Sequence, residues 1–273
     1  MALQRKYHTI IILVGLGLTA GVLGGLLGIG GGALVVPGLV FFLGLSQHKA
    51  HGTSLAVVLF MSTAGSAAYA LDGHVDWLLA AEMALGGIAG ATVGARIVRA
   101  IKGQALRRIF GLFMMLVGVR MVLSPFMGGS SGPETAAAAA LHAGQWEWLV
   151  LALCTGVATG VLSSILGVGG GIVMVPAMSL LLGLPQHTAQ GISLAAMLPT
   201  ALTGMLMHQR MGNVELQVAK WVGVGGAAGA LIGATVAKSL DAGNLKLAFG
   251  VFMVIMAILM LLKKTNEPAP AEH

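Results

Sequence analysis

The chain has 273 residues, 57% of them hydrophobic and only 9% charged, with a mean hydropathy of +0.92. That excludes an ordinary soluble domain, in which about a quarter of residues are charged, and places the chain in a bilayer. The formal net charge of +6 does not imply nucleic acid, because basic residues in a membrane protein report orientation, and one cysteine, Cys154, makes neither an intrachain disulfide nor a thiolate metal cluster.

Arg5 and Lys6 precede an apolar segment over 8–28. It reads as the first membrane segment and not as a cleaved leader, since more spans follow and no small-residue cleavage site stands out. The stretch GLLGIGGGALVVPGLVFFLGLSQHKAHGTSLA, Gly25 to Ala56, then breaks the apolar run with consecutive glycines. A short segment over 33–45 follows, and after it segments over 52–71, 77–97 and 107–124. A polar, then alanine-rich linker occupies 128–144. Beyond it come apolar segments over 147–167, 172–184, 191–207, 217–237 and 246–262.

The later segments repeat the earlier ones. Aligning Gly28 with Gly167 sets an offset of 139 (167 − 28), and the same offset pairs Pro37 with Pro176, His48 with His187, Gly52 with Gly191, Ser54 with Ser193, Gly65 with Gly204 and Gly94 with Gly233. The chain therefore reads as a first transmembrane repeat over 1–127, an extracytoplasmic linker over 128–144, a second repeat over 145–264, and a disordered cytoplasmic tail over 265–273. An odd number of segments per copy turns the copies to face opposite ways, whether the first two segments cross or form a re-entrant hairpin. The expected fold is an all-α polytopic membrane protein of two inverted-topology repeats, each of about five apolar segments, with paired broken half-helices.

Charge placement supports that arrangement. With the N-terminus inside, Arg5, Lys6, Lys49, Arg96, Arg99, Lys102, Arg107, Arg108, Arg210, Lys220, Lys263 and Lys264 lie at the cytoplasmic face, and Arg120, Lys238 and Lys246 outside. The majority rule puts both termini in the cytoplasm. The fourth segment of each copy carries a small-residue ridge, Gly86, Gly90 and Gly94, repeated as Gly225, Gly229 and Gly233. Such ridges let helices pack closely in lipid, so these segments read as scaffold.

The glycine breaks point to function. Non-helical backbone at membrane depth survives only when buried in protein or lining a wet cavity. A segment of about 13 residues spans about 20 Å of a hydrocarbon layer about 30 Å thick, so 33–45 reads as a half-helix. Its N-terminus, with free N–H groups and the positive end of the dipole, suits an anion. The candidate substrate ligands are Gly28, Gly30, Gly31 and Gly32 with Thr53 and Ser54 in the first copy, and Gly167, Gly169, Gly170 and Gly171 with Ser193 in the second. The competing reading is that the glycines only let helices cross closely, although packing alone calls for spaced glycines. A nucleotide loop fits worse, since no GK[ST] and no preceding strand are present.

Thr53, Ser54 and Ser193 also stand where they can cap the next helix. His48 and His187 read either as caps or interfacial residues at a helix entry or as a proton-sensitive gate. Glu82, within its segment, reads as a coupling group or as an acid that snorkels to the interface.

The doubled motif GxGGGxxxVP at Gly28–Pro37 and Gly167–Pro176, followed by HxAxGxSLA at His48–Ala56 and His187–Ala195, resembles the TauE/SafE family of sulfite and organosulfonate exporters over nearly the whole chain. The resemblance implies a permease of the bacterial inner membrane that moves small sulfur-containing anions outward. One departure is Ile192, where the first copy has Thr53. Two other classes stay open. An intramembrane hydrolase would pair Ser54 or Ser163 with a histidine, although His48 and His187 belong to loops expected on opposite faces; a non-transporting scaffold would need no duplicated cavity. The transporter reading expects no catalytic residue, metal or cofactor. It takes a small anion and the lipid bilayer as partners, excludes nucleic acid, and leaves homo-oligomerisation open.

Overall fold

The computed structural model describes residues 2–97, 103–124, 146–166, 170–180 and 182–262. The linker over 128–144, the tail over 265–273 and two of the site glycines, Gly167 and Gly169, lie outside the described residues, as does the side chain of Ser163. The described chain is helical: α1 (Ala2–Leu27), α2 (Gly32–Leu43), α3 (Gln47–Leu71), α4 (Trp77–Ile97), α5 (Gly103–Leu123), α6 (Trp146–Leu166), α7 (Gly171–Leu180), α8 (Gln186–Arg210), α9 (Leu216–Ser239) and α10 (Ala242–Leu262).

Two differences from the sequence reading concern helix starts. The polar runs SQHKAH and PQHTAQ look like loops, but they form the first turns of α3 and α8. A helix opening at an interface tolerates polar residues, and Ser46 caps α3 by accepting from the Lys49 N–H at 3.4 Å. Thr53, Ser54 and Ser193 therefore lie inside helices and do not cap α3 or α8. His48 and His187 sit in first turns, not in loops.

Packing follows the glycines. α1 lies along α9, α4 along α6, α5 along α10, and α3 crosses α8. A Cβ added at Gly17, Gly21 or Gly25 of α1 would fall on the backbone of Val222, Gly226 or Ala230 in α9. The ridge glycines Gly225, Gly229 and Gly233 press in return on the carbonyls of Val14, Leu18 and Val22. Gly86 and Gly90 do the same to Leu153 and Val157 of α6, so the two ridges hold scaffold contacts in which backbones approach closely.

These contacts recur at the 139-residue offset. Gly65 meets Leu194 and Gly204 meets Leu55; Gly52 meets Asn213 and His208, and Gly191 meets His74 and Tyr69. In each case one contact becomes the other when the copies are exchanged. Register gives direction as well. α1 and α9 run parallel, whereas the repeat mates α3 and α8 cross antiparallel, as do α5 and α10, where Gly111 meets Leu261 and Gly250 meets Gly118.

This is a polytopic membrane protein. Five helices, within Ile10–Leu27, Gln47–Leu71, Gln186–Arg210, Leu216–Ser239 and Ala242–Leu262, are long and apolar enough to cross a bilayer. Large apolar side chains face outward around the bundle, among them Phe41, Leu78, Leu85, Leu116 and Ile255, an arrangement that water would penalise and hydrocarbon does not.

Candidate functional site

The break between α1 and α2 is built by three residues in the left-handed region, Gly28, Gly30 and Gly31, with φ of 71°, 67° and 71°. Only glycine enters that region without steric cost. Leu34 and Val35 both turn their N–H groups back to the Gly31 carbonyl, at 3.0 and 3.1 Å. α7 opens in the same way, with Val173 and Met174 donating to Gly170 at 3.1 and 2.9 Å. Each half-helix thus presents first-turn N–H groups, those of Gly32 and Ala33 and of Gly171 and Ile172, that have no acceptor within their own helix.

The two half-helix starts meet near the middle of the bundle. Gly171 packs against Ile29 and the carbonyl of Gly28, so that not even a methyl group fits between them. Gly28 to Gly32 are all buried. The first loop is enclosed by Gln190 and Met197 of α8 and by Val58, Met61 and Ser62 of α3. Ser193 donates its hydroxyl to the Gly28 carbonyl at 2.9 Å. Of the site residues read from sequence, Gly28, Gly30, Gly31, Gly32, Gly171 and Ser193 therefore come together, with Gly170 capping α7 beside them.

Ser54 is buried on α3, and the repeat mate of the Gly28 carbonyl that Ser193 bonds, Gly167, lies outside the described residues. Thr53, His48, His187 and Glu82 are placed elsewhere. Thr53 accepts from the Glu215 N–H at 3.0 Å, and so ties down the start of α9, where Lys49 also pairs with Glu215. The repeat mate of that helix start, at α4, is capped instead by its own Asp76, whose Oδ1 accepts from Leu78 and Leu79 at 3.0 Å each. The exchange of Thr53 for Ile192 is thus matched by a different way of closing a helix end. His48 is exposed. His187 points its Nε2 at the carbonyls of Ala237 and Leu240, at 3.1 and 3.2 Å, where an imidazole N–H satisfies the end of α9, and its ring stacks on His74 with centroids 5.4 Å apart. In the α3–α4 turn, burial first and then His187 and Lys238 hold the His74 pKa below its usual value, while Asp72 opposes them. Glu82 shares the outward stripe of α4 with the exposed Leu78 and Leu85, away from the glycine loops.

Sequence reasoning missed Gln190 and Tyr69. The Tyr69 hydroxyl lies 2.8 Å from Gln190 Oε1 and 3.1 Å from the Gly25 carbonyl, closing the bundle beside the first loop. The repeat mates of this pair are His51 and His208, whose ring centroids stand 6.5 Å apart. A polar side chain at position 51 and again at 190 was the available signal. An apolar groove of about 290 Å³ between α5 and α10, lined by Val119, Val122, Val251 and Ile255 among others, offers an anion nothing.

Short, glycine-broken helices in matching places of two repeats are the build of a membrane transporter. The family described as sulfite exporter TauE/SafE matches residues 2–121 and 152–273, leaving out the region around the linker. The chain belongs to that family. It is 33% identical over 257 residues to a probable membrane transporter protein of Xylella fastidiosa, covering 93% of this chain and 95% of that one. It is 29% identical over 269 residues to the probable membrane transporter protein YunE of Bacillus subtilis, covering 92% and 94%. A probable membrane transporter protein of Methanocaldococcus jannaschii is 26% identical over 280 residues, covering 96% and 100%. No solved structure matches significantly.

Proposed function

We propose that this transporter carries a small sulfur-containing oxyanion, sulfite or a short organosulfonate, outward across a bacterial inner membrane, with both termini in the cytoplasm and without catalysing a reaction. One observation carries the reading: the start of α7 abuts the glycine loop that opens α2. The N–H groups and positive dipole ends of both half-helices are thereby directed to one buried place. No lysine or arginine lies near the middle of any span. An anion there would be held by uncharged donors alone, weakly enough to be released. The antiparallel repeat mates relate the two faces of the membrane by the exchange of copies, the symmetry on which alternating access is built. The family description, sulfite exporter, supports the substrate class. A thermal-shift screen of the purified protein tests the reading: sulfite and a short alkylsulfonate raise the unfolding midpoint in a saturable way, and an uncharged sugar does not. Indifference to every anion would overturn it.

A further inference from the structure

Few buried side-chain polar atoms among the described residues lack a partner, and two of the side chains concerned lie on one stripe of α8. Gln190 is fully buried, and while its Oε1 faces the Tyr69 hydroxyl, its Nε2 has no hydrogen-bond partner. Gln186 is fully buried too, and neither its Nε2 nor its Oε1 has one. Leaving such groups unsatisfied costs about 1–3 kcal/mol each, so native proteins seldom do so without a reason.

Position suggests the reason. Gln186, Gln190, Ser193 and Met197 follow one another at spacings of four, three and four residues, which puts them on one face of a helix. That face meets the first glycine loop: Met197 packs on Gly30, Ser193 bonds the Gly28 carbonyl, and the Gln190 side chain lies against Gly28. Gln186 is about 6 Å further along the same stripe, toward the rim where His187 stacks on His74. The first copy repeats the pattern as Gln47, His51, Ser54 and Val58, of which Val58 also packs on Gly30.

We propose that the carboxamides of Gln190 and Gln186 are side-chain ligands for the transported anion, Gln190 at the first glycine loop and Gln186 one step nearer the membrane surface. The inference rests on reading the loops as an anion site. A carboxamide donates two N–H groups without bringing a charge. It therefore adds directional hydrogen bonds to an anion without a counter-ion that would trap it. Donors on α8 and at the half-helix starts approach from different directions, so the ligand that satisfies them together is an oxyanion with several oxygens on one centre, such as sulfite or a sulfonate.

The test uses the full chain in detergent with sulfite as the probe, its dissociation constant taken from the concentration dependence of the melting temperature. Gln190→Met and Gln186→Met keep length and remove the amide. Gln190→Glu keeps an acceptor for Tyr69 but presents a carboxylate, and Gln190→His installs the residue of the other copy. The expected results are affinity about tenfold weaker or more in Gln190→Met, a smaller loss in Gln186→Met, no measurable binding in Gln190→Glu, and partial retention in Gln190→His. Unchanged affinity in both methionine variants would overturn the amide assignment and leave the loop site standing. Undiminished binding in Gln190→Glu would show that the amide oxygen, not its N–H groups, faces the site, and would also overturn it. A wild-type protein that does not bind sulfite would remove both this assignment and the loop site.

Discussion

Three glycine-to-alanine substitutions separate backbone strain from packing at the break. Gly15 in α1 has ordinary helical backbone and nothing within 4 Å of a new Cβ, so Gly15→Ala gains about 0.5–1 kcal/mol from reduced chain freedom. Gly44 ends α2 at φ 63° with open space around it, and Gly44→Ala bears only the left-handed penalty, about 1–2 kcal/mol. Gly31 combines φ of 71° with a Cβ that would meet the Met61 sulfur and lie 2.9 Å from the Ala20 carbonyl oxygen. The sulfur is the movable part of a side chain and yields; the carbonyl belongs to α1 and does not. Overpacking of this kind adds about 1–3 kcal/mol to the backbone penalty, so Gly31→Ala loses about 2–5 kcal/mol in all. Denaturant unfolding of the three variants in detergent measures the order directly. The reasoning fails if Gly31→Ala is no less stable than Gly44→Ala, because the loop would then not be packed against α1 and α3 as described.

Orientation is checked by a cysteine at Gly144 in a Cys154→Ala background: an impermeant thiol reagent outside intact cells labels it, and labelling only from the cytoplasmic side would contradict the inverted arrangement. Tyr69→Phe removes the hydroxyl that faces Gln190 and Gly25 and costs about 1–3 kcal/mol, read as a lower unfolding midpoint and faster thiol labelling near α8; an unchanged midpoint would deny the contact its closing role. Because the folded protein holds the His74 pKa down, it binds fewer protons than the unfolded chain. That stability is present above the ordinary histidine pKa of about 6.5 and is lost as pH falls below it. The melting temperature therefore drops between pH 7.5 and 5.5, and His74→Asn, which copies Asn213 of the other repeat, drops less. Equal drops would exclude His74 as a source.

Much of this architecture is written in the sequence because glycine and membrane burial both leave strong marks. Consecutive glycines ahead of a short apolar segment marked the break, and every apolar segment read from the chain has its helix, although α3 and α8 begin about five residues earlier than hydropathy alone indicates. Hydropathy stops at the first polar residue, whereas a helix continues through polar residues at an interface if a cap such as Ser46 is present. Ridge glycines showed which helices pack closely but not onto which partner, since α1 against α9 and α4 against α6 are contacts between copies. The site was half legible. Backbone donors follow from glycine spacing, but the direction of a hydroxyl does not. Thr53 and Ser193 look alike in sequence, yet one serves the start of α9 and the other the glycine loop. Gln190 was hidden because an amide inside a helix carries no motif: a polar side chain at the matching positions 51 and 190 was its one mark in the sequence, and its buried, unpartnered Nε2 is visible only in the structure.

The most direct test of the central claim is sulfite efflux from proteoliposomes with clamped voltage and no ion gradients. An inside-negative potential drives an anion outward by about 2.3 kcal/mol per charge per 100 mV, and a site without fixed cations has no partner ion to wait for. Saturable efflux that rises as the interior is made more negative is the predicted result. Efflux no faster than from protein-free liposomes would contradict the transport of sulfite, and flux that ignores voltage but requires a proton gradient would contradict a site that works by backbone and amide donors alone.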